Sequence, residues 1–181
     1  MDSAKNLAQA STLMNSGEYR VALEELDDLL RDEPNNAKAL DYAGVCCFEL
    51  DELDSAISFY NMAIESAPKD SFAYAEKAKC LFMKRDFSGA LKNFEMAQKF
   101  AKKKVKKAEF LVAEGYVELV VGKQEKGSEL FMKAYGMDPI ETVRMLERIF
   151  DGIYRDELME GELHEMENFF NKLKKMNKRK R

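Results

Sequence analysis

At 181 residues and 20.8 kDa, with 46% hydrophobic and 34% charged residues, the chain holds enough apolar material for one domain or one short repeat array. Nine Gly, three Pro and no Trp argue against a turn-rich β-sandwich and for long helices, and no apolar run is long enough for a transmembrane helix. The formal net charge is −4, yet residues 172–181 (KLKKMNKRKR) carry seven Lys and Arg, leaving 22 basic against 33 acidic residues in an acidic body that precedes a basic tail.

The N-terminal MDSAKNLAQA has no basic segment followed by an apolar run, so no secretory signal is expected. Apolar spacing predicts helices over 3–15, 19–32, 37–50, 52–66, 71–84, 87–103, 107–121 and 124–136. Turn formers fill the links, as in Asn15-Ser16-Gly17 and Pro34-Asn35-Asn36. A fixed step of 34 residues runs through the first three pairs: Pro34 and Pro68; Ala22, Ala56 and Ala90; Leu26, Tyr60 and Phe94; Leu29, Ala63 and Ala97; Ala10, Gly44 and Ala78. After a three-residue insertion in the lysine-rich segment the pattern resumes with Gly115, Gly127, Phe131, Ala134 and Pro139. Asp138-Pro139-Ile140-Glu141 reads as a capping box with Pro in the first turn, which starts a further helix.

These slots resemble the tetratricopeptide repeat, W-x2-L-G-x2-Y, then A-x3-F, then P. The second copy fits best, with Leu40, Ala43, Gly44 and Cys47 in the first helix and Ala56, Tyr60, Ala63 and Pro68 in the second. The first copy departs at Asn6 and Gln9, the third has Lys102 for Pro, and the fourth has Gly127 for Ala. Small residues let the two helices of a pair approach, and Pro ends the second helix for lack of an N–H. The resemblance implies an all-α, right-handed α–α superhelix, a solenoid of the tetratricopeptide type with a C-terminal helical cap. Four repeats would occupy 3–139 (about 3–36, 37–70, 71–107 and 108–141), the cap 140–176 and a basic tail 177–181.

In 140–155 an apolar stripe runs through Val143, Leu146, Ile149, Phe150, Ile153 and Tyr154, and in 156–176 another runs through Met159, Leu163, Met166, Phe170 and Leu173. Two readings stand for this pair: a cover for the open end of the solenoid, or a self-association surface giving a homodimer through the second stripe. The tail is a solvated end, or an electrostatic contact for RNA, DNA or an anionic membrane. It offers nucleic acid its contact through charge alone, since aromatic interleaving is sparse. The lysines at 102–107 are expected at the negative pole of a helix end.

In such a solenoid the first helix of each pair lines the inner wall. Its free stripe yields candidate partner-binding residues: Leu7, Met14, Lys38, Tyr42, Val45, Phe48, Phe72, Lys79, Phe82, Tyr116 and Leu119. Most of that stripe is apolar, which suits another polypeptide, as a peptide or an amphipathic helix. Some of these residues, Phe82 and Leu119 especially, have packing between repeats as their other reading. Some family members hold acidic C-termini with a lysine, asparagine and arginine clamp. Here that face carries Asp41, Glu49, Glu76 and Glu109, no Arg, and only Lys38 and Lys79, against such a clamp.

Catalytic chemistry has no foothold. The sole histidine, His164, sits between Glu162 and Glu165, and no nucleophile–base set, glycine-rich phosphate loop or metal motif is legible. Neither cofactor nor metal is expected. Cys46, Cys47 and Cys80 have no disulfide or zinc spacing and read as buried, reduced thiols in a cytoplasmic setting. The function expected is a non-catalytic scaffold, adaptor or assembly factor, with a nucleic-acid- or ribosome-associated factor using the basic tail as the alternative.

Overall fold

A computed structural model describes residues 3–148 and the separate positions 168, 171 and 175. All regular structure among the described residues is helical. The chain divides into two compact units, residues 1–100 and 101–181.

The first unit holds α1 (Ser3–Asn15), α2 (Tyr19–Asp32), α3 (Ala37–Glu49), α4 (Leu53–Ser66), α5 (Ser71–Met83) and α6 (Phe87–Phe100). Each successive pair packs as a hairpin, and α2 and α4 also pack against the helix that follows them. The odd-numbered helices approach one another, α1 to α3 and α3 to α5, more closely than the even-numbered ones do. The odd helices therefore form the tighter layer of this unit.

Local sequence explains the hairpins. Every first helix ends in the same C-terminal turn: the N–H groups of Glu18, Glu52 and Asp86 donate to the carbonyls of Leu13 (2.9 Å), Cys47 (2.8 Å) and Leu81 (2.9 Å). That turn needs a left-handed residue, found at Gly17 (φ 81°), Asp51 (61°) and Arg85 (61°), one repeat step apart. Glycine adopts it without strain, whereas Arg85 holds it at a cost of about 1 kcal/mol. Asn36 caps α3 by accepting from the Ala39 N–H at 3.1 Å, and Asp70 caps α5 by accepting from Phe72 at 2.8 Å.

Slots of the 34-residue step fill the core. Ala22, Ala56, Ala90, Leu26, Tyr60, Leu29, Ala63 and Ala97 are all buried. Gly44 lies so close to the Tyr60 ring that a Cβ there would fall 2.5 Å from Cε1. The Tyr60 hydroxyl has no hydrogen-bond partner among the described residues, and burial pushes its pKa up. The same slot holds Leu26 and Phe94 in the neighbouring hairpins, which have no polar atom to strand. Tyr60→Phe is therefore expected to stabilise the chain by about 1–2 kcal/mol in urea unfolding followed by circular dichroism. An unchanged or lowered midpoint would mean that the hydroxyl is satisfied.

The second unit holds α7 (Lys104–Val120), α8 (Gln124–Met137) and α9 (Pro139–Arg148), each packed on the other two. The hairpin turn is the same, with Gly122 at φ 80° and Lys123 N–H donating to Glu118 O at 2.8 Å. Asp138 caps α9 by accepting from the Glu141 N–H at 2.9 Å, with Pro139 in the first helical position as the capping pattern predicts. Leu146 and Thr142 turn inward and are buried. Glu118 is fully buried between Lys123 Nζ (3.3 Å) and Lys126 Nζ. Burial works to raise its pKa, but the hydrogen bonds and charges of the two ammonium groups outweigh that and hold the carboxyl below its ordinary value.

One electrostatic expectation is overturned. Helix α6 stops at Phe100, and α7 begins at Lys104 rather than at 107. The extra residues lengthen α7 instead of its preceding link. Lys104, Lys106 and Lys107 thus stand at the positive N-terminal pole of a helix, not at a negative one. Lys106 is neutralised locally by Glu109 at 2.6 Å.

Candidate functional site

In the first unit, the free stripe of the odd helices starts with Leu7 and Met14 of α1, both half-buried and packed on the core of the first hairpin. Helix α3 continues it. Tyr42 is half-buried, with the Lys38 ammonium 5.5 Å from its ring centroid, and Val45 and Phe48 are half-buried against the second core cluster. On α5, Phe72 keeps 41% of its surface exposed, and exposed Lys79 pairs with Glu76 at 2.7 Å. Large apolar surface partly covered by its own core, with cations beside it, suits contact with another apolar chain.

Three candidates leave this set. Phe82 is buried, its ring centroid 5.6 Å from that of Phe87 on α6. Tyr116 and Leu119 of α7 are buried as well, and Leu119 fills the space over Gly127 of α8. Their helical spacing matches that of the exposed residues, but their rings and branches serve the hairpin interior. An anchor for a partner needs surface that water can reach.

Sequence reasoning passed over Asp41 as a site residue. It is only 6% exposed, on the same face of α3, and its Oδ1 has no hydrogen-bond partner among the described residues. Burial, followed by the charge and hydrogen bond of the Asp70 carboxyl and the charge of Glu76, pushes its pKa up to about 7. The available signal was periodic: one step away on either side stand Leu7 and Ala75, so an acid breaks an apolar slot.

The thiols of Cys46, Cys47 and Cys80 are buried and unoxidised; burial above all pushes their pKa values up to about 11, 11 and 12. Such thiols carry almost no thiolate at neutral pH. Among the described residues no group of His, Cys, Asp and Glu is arranged to hold a metal, and no helix is long and apolar enough to cross a membrane. Ile149, Phe150, Ile153 and Tyr154 of the first C-terminal apolar stripe, Met159, Leu163, Met166, Phe170 and Leu173 of the second, His164 and the tail 177–181 lie outside the described residues.

A family model for the tetratricopeptide repeat matches residues 7–71. No curated protein matches the sequence. Among solved structures, the crystal structure of MamA protein aligns with TM-score 0.74 at 18% identity, over 98% of this chain and 93% of that one. MamA 41-end from Desulfovibrio magneticus RS-1 gives 0.72 at 20%, over 98% and 97%. SycD, the type III secretion translocator chaperone of Yersinia enterocolitica, gives 0.62 at 20%, over 64% and 83%. Likeness at these identities establishes the fold, a helical solenoid of the tetratricopeptide type.

Proposed function

The chain carries tetratricopeptide repeats, and from that premise we propose that it is a non-catalytic protein-interaction module, a scaffold or assembly factor. On this reading each of the four hairpins is one repeat, and α9 opens the C-terminal cover expected from the sequence. The docking face is the odd-helix layer of the first unit, and its ligand is an apolar or amphipathic segment of another polypeptide. The observation that carries this reading is the partly exposed aromatic surface of Tyr42 and Phe72 on neighbouring helices α3 and α5. Likeness in fold to a translocator chaperone fits a role in holding another chain.

Selection of short random peptides displayed on phage against the full chain tests the reading. Sequences with paired apolar residues are expected to be enriched. Tyr42→Ala with Phe72→Ala should weaken the best of them by about tenfold or more while the helical signal is kept, because truncating aromatic anchors costs at least about 1–2 kcal/mol. Enrichment of nothing, or full affinity in the folded double variant, would remove the docking face.

A further inference from the structure

One stripe of α3 carries opposite charges at its two ends and apolar surface between them. Lys38, Tyr42, Val45 and Glu49 follow the spacing i, i+4, i+7, i+11, which keeps to one side of a helix and sets the two charges about 16 Å apart. Tyr42 and Val45 are half-buried, and Lys38 and Glu49 are exposed. The Lys38 ammonium rests on the Tyr42 ring at 5.5 Å, and neither charge has an ion-pair partner among the described residues. The neighbouring helices do not supply one at these positions. The repeat step places Ala4 and Phe72 beside Lys38, and Asn15 and Met83 beside Glu49. The helix dipole of α3 has the same sense, positive at the Lys38 end and negative at the Glu49 end. The complement of this stripe is a segment with an acid at one end, apolar residues in the middle and a base about three turns further on.

The chain's own sequence contains that pattern. The second C-terminal stripe runs from Leu163 through Met166 and Phe170 to Leu173, with Glu162 beside its first residue and Lys174 beside its last. Within this stretch and just after it, Asn168, Asn171 and Lys175 are helical and exposed, spaced as the polar face of an amphipathic helix. We propose that residues 162–174 of a second copy of this chain dock along α3, with Glu162 at Lys38, Lys174 at Glu49 and the apolar stripe on Tyr42, Val45 and the neighbouring Phe72. The proposal names the partner of the docking face proposed above and rests on that reading. A second copy is the source because Phe72 keeps 41% and Met83 53% of their surface exposed with the whole chain present. The first C-terminal stripe, which α9 opens, remains the cover of the array.

Sedimentation velocity of the full chain over a concentration series tests this. Association is expected to grow with concentration and to weaken as salt is raised. Lys38→Glu with Glu49→Lys, both at exposed positions, should weaken it by about tenfold or more while the helical signal is kept. Glu162→Lys with Lys174→Glu should weaken it to the same extent. An equal mixture of the two variants should recover the wild-type association, because the reversed face of one then meets the reversed segment of the other, and the two unaltered partners meet as well. Association that neither pair of substitutions weakens lies elsewhere on the chain and overturns the proposal. Two weakened variants that fail to recover on mixing overturn it too, as does a monomer at every concentration. None of these outcomes removes the docking face itself, which stands or falls by the peptide selection with the Tyr42 and Phe72 variant.

Discussion

Asp41→Asn is expected to stabilise the chain by about 3–4 kcal/mol at slightly alkaline pH and to change it little at about pH 4. The sign follows from which state binds the proton. An unfolded Asp ionises with a pKa of 3.8, whereas the folded Asp41 carboxyl keeps its proton up to about 7. Between those values the folded state holds a proton that the unfolded state has lost, so wild-type stability falls as pH rises through this window and levels off above it. Below 3.8 both states are protonated and the group contributes no slope. Asparagine imitates the protonated form at every pH, and its amide can still donate to Asp70. The groups facing Asp41 are the Asp70 and Glu76 carboxyls of α5 and the Tyr60 phenol of α4. Both carboxyls disfavour its charge. Urea unfolding of wild type and variant at the two pH values, with hydrogen exchange resolving α3 and α5, measures the difference. A pH-independent gap between the two proteins would refute the assignment.

Gly127→Ala is expected to destabilise the second unit by about 2 kcal/mol, although sequence comparison within the chain points the other way. The repeat step places Ala22, Ala56 and Ala90 at this position, all fully buried. Alanine is also the better helix former by about 1 kcal/mol. By those criteria the substitution restores a consensus. In the α7–α8 hairpin, however, glycine stands on both sides of the crossing. A Cβ at 127 would fall 2.8 Å from the Gly115 carbonyl oxygen and 2.8 Å from Leu119 Cγ. The first of these atoms is backbone, and the second belongs to a buried side chain. Neither can yield without separating the helices, and that loss exceeds the gain in propensity. Thermal melting with hydrogen exchange on α7 and α8 tests this; a stabilised unit would show that the crossing is looser than described.

Helix boundaries were legible because local rules set them. The 34-residue step, the Asn36, Asp70 and Asp138 caps, and the turns at Gly17 and Gly122 place α1 to α5 within a residue of their expected ends. The third hairpin was read less well. A lysine run has helical propensity at any position, so Lys102–Lys107 offered no stop signal, and whether those residues closed α6 or opened α7 stayed open to misreading. The free stripe of the odd helices was half legible. Period alone selected Tyr42 and Phe72, which keep part of their surface exposed, together with Phe82, Tyr116 and Leu119, which are buried, because one helical face spans both solvent and hairpin interior.

The sequence by itself determined the repeat, its period and the all-helical architecture, since small-residue slots and caps act over a few residues and recur. Only the tertiary structure decided that Asp41 meets Asp70 across two helices, that Gly115 meets Gly127, and which aromatics stay in reach of water. Those facts depend on distances between residues far apart in the chain, where a periodic pattern supplies the neighbour but not the separation that fixes its charge state or its room for a methyl group.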